Sequence, residues 1–338
     1  MSRAQLTSTV EQNSAGAASP FVAGKNKIIN GDFGIWQRGT SFTANGYTAD
    51  RWRFDADGSG STNTISQQAF TPGTAPVAGY EGAYFYRMAR SAVGTGNTYN
   101  QLKQAIEDVR TFAGQTVTLS FWAKADTTRV VNVYIYQNFG TGGSSTAGGY
   151  IGNVSLTTSW ARYSITTSIA SISGSTIGTG SYLQLLFATP AAVASTIDFW
   201  GVQLEAGSVT TPFTTASNTL QGELALCQRY YYRWTNVGLI YSCMAMGAGY
   251  SSSAVQIIYQ FPVTMRAAVS YTTDSLNLVC QDIATGTTYT PTAVTLNQSG
   301  NSSAQILFTG MSGITSYRQY AVYAGGNSNA YFGVSAEL

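Results

Sequence analysis

The stretch FWGVQLEAGSVTTPF, Phe199 to Phe213, joins a strand pattern to a turn, and the clearest helical pattern of the chain follows it. Within it, Trp200, Val202 and Leu204 alternate with other residues, a period of two that is typical of a β-strand. An Ala-Gly pair ends the strand, and Pro212 prevents an immediate continuation because proline has no backbone N–H to donate. The stretch is therefore predicted to be the closing strand of a domain.

The composition indicates a globular chain built from strands. The 338 residues suffice for two domains, 44% of them are hydrophobic, and only 9% are charged. Solubility must depend on Ser, Thr, Asn, Gln and the 36 Gly, and together with 22 Tyr this composition favours strands joined by Gly/Ser turns. Such surfaces are inert toward charged partners, as the surfaces of particle-borne proteins often are.

Charge and residue type exclude several classes of function. The net charge is +2, and no basic cluster is present that could replace phosphate counterions, so we expect no nucleic-acid partner. The chain has no His, which removes His-dependent nucleophiles, bases and metal ligands. Three Cys without a CxxC spacing are interpreted as buried reduced thiols. Neither an apolar leader nor a run of about 20 apolar residues is visible, so we expect no membrane insertion.

The chain divides into four parts by its pattern. Residues 1–25 have the composition of an extended segment, and residues 26–215 contain about ten strand-like runs separated by turn-rich tracts such as GTGGSSTAGG. A short connecting helix is predicted over residues 216–235, and residues 236–338 return to short strands. The predicted fold is all-β: an extended N-terminal segment, a jelly-roll β-sandwich, the helix, and a second, smaller C-terminal β-sandwich.

The helix prediction depends on the segment NTLQGELALCQRYYYRW. Leu220, Leu224, Cys227 and Tyr231 recur at helical spacing, and an Asn three residues before a Gln resembles a capping box. The pattern covers barely two heptads, which is too short for a coiled coil. A second segment, QLKQAIEDVR, fits either a helix or a strand.

Two blocks of sequence resemble bacteriophage tail-fibre and related virion appendage proteins. The first is SPFVAGKNKIINGDFGIWQRGTSFTANGYTADRW, and the second runs from FWGVQLEAGSVTTPF to GELALCQRYYYRW. The resemblance covers roughly residues 20–234, and in that family the region between the blocks resembles jelly-roll carbohydrate-binding modules. It implies a homotrimer, located in the virion tail and made in the host cytoplasm, whose residues 1–25 attach it to other virion proteins.

The strand patterns also predict a polar face opposite the core. Inward residues such as Leu119, Val133 and Leu185 leave aromatic, amide and Lys side chains on the other face. Rings can cover the C–H face of a sugar, while amide and ammonium groups bind its hydroxyls. The predicted glycan-binding residues are Tyr99, Gln101, Lys103, Trp122, Lys124, Asn132, Tyr134, Tyr136, Tyr182 and Gln184.

Two other interpretations of this face remain open. Aromatic residues are also enriched at protein interfaces, so the face could pack on a neighbouring subunit or on the second domain. It could equally be solvated strand surface. Trp36, Trp52 and Trp200 alternate with apolar residues and are predicted to lie in the core.

The resemblance further implies a structural Ca²⁺ between the first and last strands of the jelly roll. Asn30, Asp32 and Asp198 are the positions that match such a site. Oxygen ligands suit Ca²⁺, but the ion takes six to eight of them, so turn capping by Asn and Asp remains the alternative. No other cofactor is expected.

An enzymatic alternative needs a pair of carboxylates. The closest acidic group is Asp50, Asp55 and Asp57, and the last two would share one face of a strand. Because DADGSGS also fits a Gly-rich turn with solvated acidic residues, the sequence favours a protein that is not an enzyme. A polysaccharide depolymerase is the less favoured alternative, and a purely structural virion protein is another.

The C-terminal domain carries the segment YRQYAVYAGGNSNAYFG, Tyr317 to Gly333. Tyr with small polar neighbours makes adaptable recognition surfaces. This segment predicts that the second domain is a receptor-binding tip, and the sequence favours adsorption to the host surface through a glycan.

Overall fold

The described part of the chain forms two compact β-rich units, which divide between residues 223 and 224. The computed structural model describes residues 24–77, 80–236 and 238–338. It contains 48% strand and 3% helix, which confirms the all-β prediction. Of the predicted N-terminal segment, residues 1–23 lie outside the described residues.

The first unit contains twelve of the described strands. They are β1 Ser41–Phe42, β2 Gly46–Tyr47, β3 Arg53–Ala56, β4 Thr62–Ala69, β5 Tyr84–Ala92, β6 Asn100–Ile106, β7 Thr116–Ala125, β8 Arg129–Asn138, β9 Ala147–Leu156, β10 Ala161–Ser168, β11 Tyr182–Ala188 and β12 Ser195–Ala206. The segment QLKQAIEDVR, whose sequence fits either a helix or a strand, starts within strand β6, which ends at Ile106.

These strands form two antiparallel sheets of six. The β7 sheet has the order β1-β4-β5-β12-β7-β10, and the β8 sheet has the order β2-β3-β6-β11-β8-β9. The core contains inward residues of both sheets, among them Trp52, Phe121, Val133, Leu185 and Phe199. This arrangement agrees with the predicted jelly-roll sandwich.

Strand β12 departs from the simple alternation predicted for it. Gly201 has φ +62°, and the pairing with β7 shifts register between Trp200 and Gln203. Because of this bulge, the next inward-facing residue after Phe199 is Val202 instead of Gly201. Phe199 and Val202 both lie in the core. Trp200 is buried as predicted but on the opposite face of the sheet, in a separate cluster.

That cluster, called the satellite cluster here, covers the outer face of the β7 sheet. Five buried aromatic residues form it: Phe70, Phe85, Trp122, Trp200 and Phe213. Partly buried residues pack against it, including Tyr80 and Trp160. Strand β12 is consequently buried on both faces.

The second unit is a smaller β-sandwich, also as predicted. Its strands are β13 Tyr231–Thr235, β14 Cys243–Ser251, β15 Ala254–Gln260, β16 Ser270–Leu276, β17 Val279–Asp282, β18 Thr288–Tyr289, β19 Ala293–Ser299, β20 Ser303–Thr309, β21 Gln319–Tyr323 and β22 Tyr331–Ser335. A three-stranded sheet has the order β13-β22-β16, and a seven-stranded sheet has the order β18-β17-β21-β14-β15-β20-β19.

The helix is shorter than predicted. Helix α1 spans Leu220–Gln228, whereas Tyr231–Thr235 pairs with β22 as strand β13, so the predicted helical range 216–235 is wrong at its C-terminal end. The aromatic run there favours a strand. The N-cap also differs from the prediction, because the Thr219 hydroxyl accepts a hydrogen bond from the N–H of Gly222 at 3.1 Å.

Two further expectations can be compared with the structure. Cys227 and Cys280 are buried free thiols as predicted, but Cys243 is exposed at the beginning of β14. Among the described residues, no helix combines the length and the apolar character that a membrane crossing requires.

Candidate functional site

The β8 sheet carries eight of the ten predicted glycan-binding residues on or beside its outer face. They are Tyr99, Gln101 and Lys103 of and beside β6, Tyr182 and Gln184 of β11, and Asn132, Tyr134 and Tyr136 of β8. The register explains why they share a face: Leu186 of β11 pairs with Lys103 on one side and with Tyr134 on the other. Residues between them in sequence, such as Val133 and Leu185, point into the core.

A groove of about 430 Å³ lies on this face. This volume is within the range of small-ligand sites. Five predicted residues line it together with seven others, and none of the twelve is charged. The lining residues are Thr98, Tyr99, Gln101, Val130, Asn132, Tyr134, Tyr136, Leu186, Ala188, Thr189, Pro190 and Ala191.

The groove combines aromatic rings with free amide groups. The rings of Tyr134 and Tyr136 stack at a centroid distance of 5.9 Å and an angle of 6°, and Tyr150 of β9 meets Tyr134 edge-on at 5.6 Å. Within the described part of the chain, the side-chain amides of Gln101 and Asn132 have no hydrogen-bond partner. Donors and acceptors therefore face the groove beside the rings, as binding of a hydroxyl-rich ligand requires.

An ion-pair network borders the groove at β3 and β6. Arg53 donates two hydrogen bonds to Asp55, at 2.8 and 3.0 Å, and the Lys103 ammonium lies 2.7 Å from the same carboxylate. Burial opposes ionisation of Asp55, but the hydrogen bonds from Arg53 and Lys103 outweigh it and lower the pKa of this carboxyl. Lys103 is thus held by Asp55 at the edge of the groove rather than free to bind a ligand.

Trp122 and Lys124 do not belong to this face, and their assignment to it is wrong. Both lie on β7, in the other sheet. Trp122 is buried in the satellite cluster, with the Arg162 guanidinium 4.6 Å from its ring centre. The Lys124 ammonium lies 3.6 Å from Asp198 and 5.3 Å from the ring of Trp160. Sequence alternation identified outward residues but could not assign them to one sheet or the other.

The three residues predicted to bind calcium have separate hydrogen-bond partners, and Asp32 accepts from the hydroxyl of Tyr80 at 3.3 Å. The Asn30 amide donates to the carbonyl oxygens of Ile35 and Asp50, at 2.8 and 3.0 Å, so it caps a turn. Asp198 accepts two hydrogen bonds from Arg87, at 2.7 and 2.8 Å. Within the described ranges, no group of three or more Cys, Asp or Glu residues is arranged to hold a metal ion.

Asp50, Asp55 and Asp57, the acidic group considered for catalysis, have separate structural partners. Asp50 is buried and accepts the backbone N–H of Gln37 at 3.0 Å. Asp57 accepts hydrogen bonds from Thr98 and Tyr99, and these hydrogen bonds lower the pKa of its carboxyl. Asp55 and Asp57 are therefore both held as carboxylates, and neither has the raised pKa of a general acid.

Asp32, which the sequence suggested only as a calcium ligand, lines a pocket together with Glu223, which the sequence did not single out. Asp32 and Glu223 line one pocket of about 100 Å³ beside helix α1, and a wider cleft of about 460 Å³ begins at Asp32 and Tyr80. Burial raises the pKa of both carboxyl groups, and the charge of Asp32 adds to the effect on Glu223. The pair is separated by almost two hundred residues, so no local spacing could have indicated it.

The lining of the groove also includes residues that the sequence did not single out. Leu186 and Ala188 of β11 lie between predicted residues of β6 and β8. Leu186 is apolar and follows the inward Leu185, so the sequence did not indicate that it faces outward. Tyr150, which contacts Tyr134 but is not among the twelve lining residues, follows the tract GTGGSSTAGG and was not singled out by the sequence. An edge strand interrupted by glycines hides the alternation that would have revealed it.

The two sequence blocks that carry the resemblance build the fold rather than the groove. Asn26 donates to the carbonyl oxygens of Val202 and Thr214, and Glu205 accepts from the N–H and the hydroxyl of Thr211, at 3.0 and 2.7 Å. The segment after β12 is therefore hydrogen-bonded back to β12. These hydrogen bonds account for the Thr-Thr-Pro-Phe turn that follows the closing strand.

No protein-family model and no curated protein matches the chain. Similar solved structures include the enzymatically active domain of tailspike protein 4 of bacteriophage CBA120, with a TM-score of 0.36, 16% identity and 56% of this chain covered. The chain spans 22% of that structure's length.

Two carbohydrate-binding modules are similar over nearly their whole length. The module TmCBM61, in complex with β-1,4-galactotriose, has a TM-score of 0.31, 14% identity, and coverage of 54% of this chain and 99% of its own. The family 11 module from Clostridium thermocellum, in complex with a β-1,3-1,4-mixed-linked tetrasaccharide, has a TM-score of 0.32, 11% identity, and coverage of 50% and 97%. At these values the similarities assign no ligand to this chain.

Proposed function

We propose that the first unit binds a glycan in the groove on the β8 sheet. The observation that carries this proposal is the combination of tyrosine rings with unpartnered amides in an uncharged groove of suitable size. Rings and amides together match the two kinds of surface that a sugar presents, namely its C–H face and its hydroxyl groups.

The lining also narrows the class of glycan. Because every lining residue is neutral, a uronate or a phosphorylated sugar would find no counter-charge in the groove, and Lys103 at its edge is already paired with Asp55. We therefore propose a neutral saccharide.

The biological setting proposed here is the tail of a bacteriophage. We propose a homotrimeric tail-fibre protein without catalytic activity, made in the host cytoplasm, that attaches to other virion proteins through residues 1–25 and adsorbs to the host surface. The sequence blocks around Asn30 and Glu223 support this setting by resemblance, and the C-terminal unit remains the candidate receptor-binding tip.

Calorimetry tests the groove directly. The full-length chain is titrated with β-1,4-galactotriose, with a β-1,3-1,4-mixed-linked tetrasaccharide and with a neutral bacterial surface polysaccharide. At least one probe is expected to bind, and Tyr134→Ala and Asn132→Ala should each weaken it about tenfold, the equivalent of about 1.4 kcal/mol.

A matched pair of tyrosines provides the control. Tyr99 lines the groove, whereas Tyr84 lies on the other sheet and lines the cleft at Asp32; both side chains are 39% exposed. Tyr99→Ala should weaken binding while Tyr84→Ala should not. Binding that survives Tyr134→Ala and Asn132→Ala would contradict the groove and favour the second unit as the recognition site. Equal weakening by Tyr99→Ala and Tyr84→Ala would also contradict the groove and would favour the cleft at Asp32.

The cleft at Asp32 favours a second candidate function, polysaccharide cleavage. Asp32 and Glu223 line one pocket, and glycoside hydrolysis uses two carboxyl groups, one protonated as the general acid and one ionised. Burial raises the pKa of both groups here, which suits the acid but not the ionised partner. Against this, Glu223 already accepts hydrogen bonds from Asn30 and Ser217. The test is the release of reducing ends from the same polysaccharides, which Asp32→Asn should abolish if the cleft is catalytic.

A further inference from the structure

A pocket of about 260 Å³ opens on one side of the sandwich in the first unit, between the edge strands of its two sheets. Strand β9 is the last strand of the β8 sheet, and β10 is the last strand of the β7 sheet. Residues of β8, β9 and β10 and of the turn after β10 line the pocket, and none of these described residues is charged. Its volume is several times the roughly 30 Å³ that one water molecule occupies, so the pocket has room for a small organic group.

Two consecutive glycines of β9 create this space. Gly149 pairs with Ile135 of β8, whose side chain lies in the core, so both positions face the same side of the sheet. A Cβ at Gly149 would have no heavy atom within 4 Å. The neighbouring Gly148 has φ +87°, and a Cβ there would lie 2.4 Å from the carbonyl oxygen of Ile135. The edge strand therefore leaves open a region between the sheets that side chains would otherwise fill.

Gln137 of β8 contributes a hydrogen-bond acceptor to the lining of the pocket. Its side chain is only 2% exposed, and its Nε2 donates to the carbonyl oxygen of Ala170 at 3.0 Å. Among the residues that the structure describes, no donor bonds its Oε1. A buried amide oxygen without a donor is costly, so a group that enters the pocket and donates a hydrogen bond to this oxygen would be stabilised there.

Thr167 of β10 and three isoleucines complete the lining. Thr167 pairs with the core residue Val117, so its side chain faces the space between the sheets. Within the described ranges its hydroxyl has no hydrogen-bond partner. Ile135, Ile151 and Ile169 add apolar surface. The pocket thus offers one free amide oxygen, one free hydroxyl and an apolar wall.

We propose that this pocket binds the acetamido group of an N-acetylated amino sugar. An acetamido group has one N–H donor, one carbonyl acceptor and one methyl group, which match the Gln137 oxygen, the Thr167 hydroxyl and the isoleucines. A plain hexose has hydroxyl groups on most of its carbons and would leave several of them unpaired against the isoleucines. The pocket shares no lining residue with the groove on the β8 sheet, so the proposal does not rest on glycan binding in that groove.

Saturation-transfer NMR of the full-length chain tests the pocket. The two probes are the methyl β-glycosides of N-acetylglucosamine and of glucose, which differ only in the acetamido group. The acetylated sugar is expected to bind, with the strongest transfer at its acetyl methyl group, and the glucoside should bind at least about tenfold more weakly. Gln137→Met removes the acceptor at similar volume and should weaken binding of the acetylated sugar about tenfold. Thr167→Val removes only the hydroxyl and should weaken it at least about threefold.

Two control variants accompany these substitutions. Thr64 is also a half-buried strand residue of the first unit whose hydroxyl has no partner among the described residues, but it lies on β4 outside the pocket. Thr64→Val should bind the acetylated sugar as the unaltered chain does. Tyr99→Ala alters the groove on the β8 sheet and should also leave this binding unchanged. Thermal unfolding identifies the variants that are folded.

Three results would overturn the proposal: no binding of the acetylated sugar, equal binding of the two glycosides, or undiminished binding by the folded Gln137→Met and Thr167→Val variants. Binding that is lost in Tyr99→Ala would also overturn it, because the sugar would then lie in the groove. That last result would support the groove, so the two sites are tested separately.

Discussion

Glu223 in helix α1 accepts a hydrogen bond from the backbone N–H of Asn30, 193 residues earlier in the chain. The other carboxylate oxygen of Glu223 accepts from the N–H and the hydroxyl of Ser217, at 3.1 and 3.0 Å. Asn30 in turn accepts the indole N–H of Trp52 on its carbonyl oxygen at 2.9 Å. One buried carboxyl group thus connects the beginning of the first unit to its end.

Glu223→Ala should therefore destabilise the first unit. The substitution leaves the buried N–H of Asn30 without an acceptor, at a cost of about 1–3 kcal/mol, and it also removes the acceptor of the part-buried N–H of Ser217. The free energy of unfolding from urea titration measures the loss. Gln221→Ala, on an exposed position of the same helix, is the control and should change stability little; equal losses would mean that the carboxylate has no such role.

Gly201→Ala should lower the free energy of unfolding more than Gly180→Ala, which replaces a glycine of similar backbone geometry. A Cβ at Gly201, where φ is +62°, would lie 2.7 Å from the ring of Trp122. Gly180 has φ +71° but open space at the same position, so Gly180→Ala carries only the backbone strain of about 1 kcal/mol. The difference between the two unfolding free energies isolates the clash, and a difference near zero would contradict the packing at the bulge.

Trp122→Ala should affect stability rather than glycan binding. Its ring is buried against Trp200 and Phe213, with centroid distances of 5.5 and 6.2 Å, and loss of a buried Trp costs about 3–5 kcal/mol. Tyr134→Ala, in the groove, should show the reverse pattern. Denaturant titration and calorimetry of the folded variants measure both effects. If the folded Trp122→Ala variant bound oligosaccharide more weakly, Trp122 would belong to the binding site, and this prediction would be wrong.

Asp32→Asn should stabilise the protein near neutral pH. Burial raises the pKa of Asp32 above its ordinary 3.8, so its stabilising contribution is present in acid and is lost as the pH rises through the folded-state pKa. Asn is neutral at every pH. The variant should therefore unfold at a higher temperature than the unaltered protein near neutral pH, and the gap should close in acid.

Asp57→Asn should have the opposite effect on stability near neutral pH. Its pKa is lowered, so its contribution is present above the unfolded pKa and is lost in acid. This variant should be the less stable of the pair near neutral pH and should equal the unaltered protein in acid. Thermal unfolding of both variants across pH measures the two trends, and trends of the same sign would contradict this electrostatic account.

Sequence periodicity predicted most of the groove because strand alternation is local. Asn132, Tyr134 and Tyr136 follow one another with a period of two, and this spacing alone places them on one face. It could not show that β11 lies between β6 and β8, which brings Gln101 near Asn132, nor that Trp122 belongs to the other sheet. Strand order is decided by contacts between residues that are far apart in sequence.

The sequence by itself determined the all-β class, the two units and the outward set on β6, β8 and β11, because composition and alternation act within a few residues. The tertiary structure decided which outward residues meet. Gly201 changes the parity of β12, the satellite cluster buries Trp122, and Asp198 is paired with Arg87 instead of joining Asn30 and Asp32. These outcomes depend on sheet order and on which cation lies within reach of which carboxylate, and neither is encoded in local spacing.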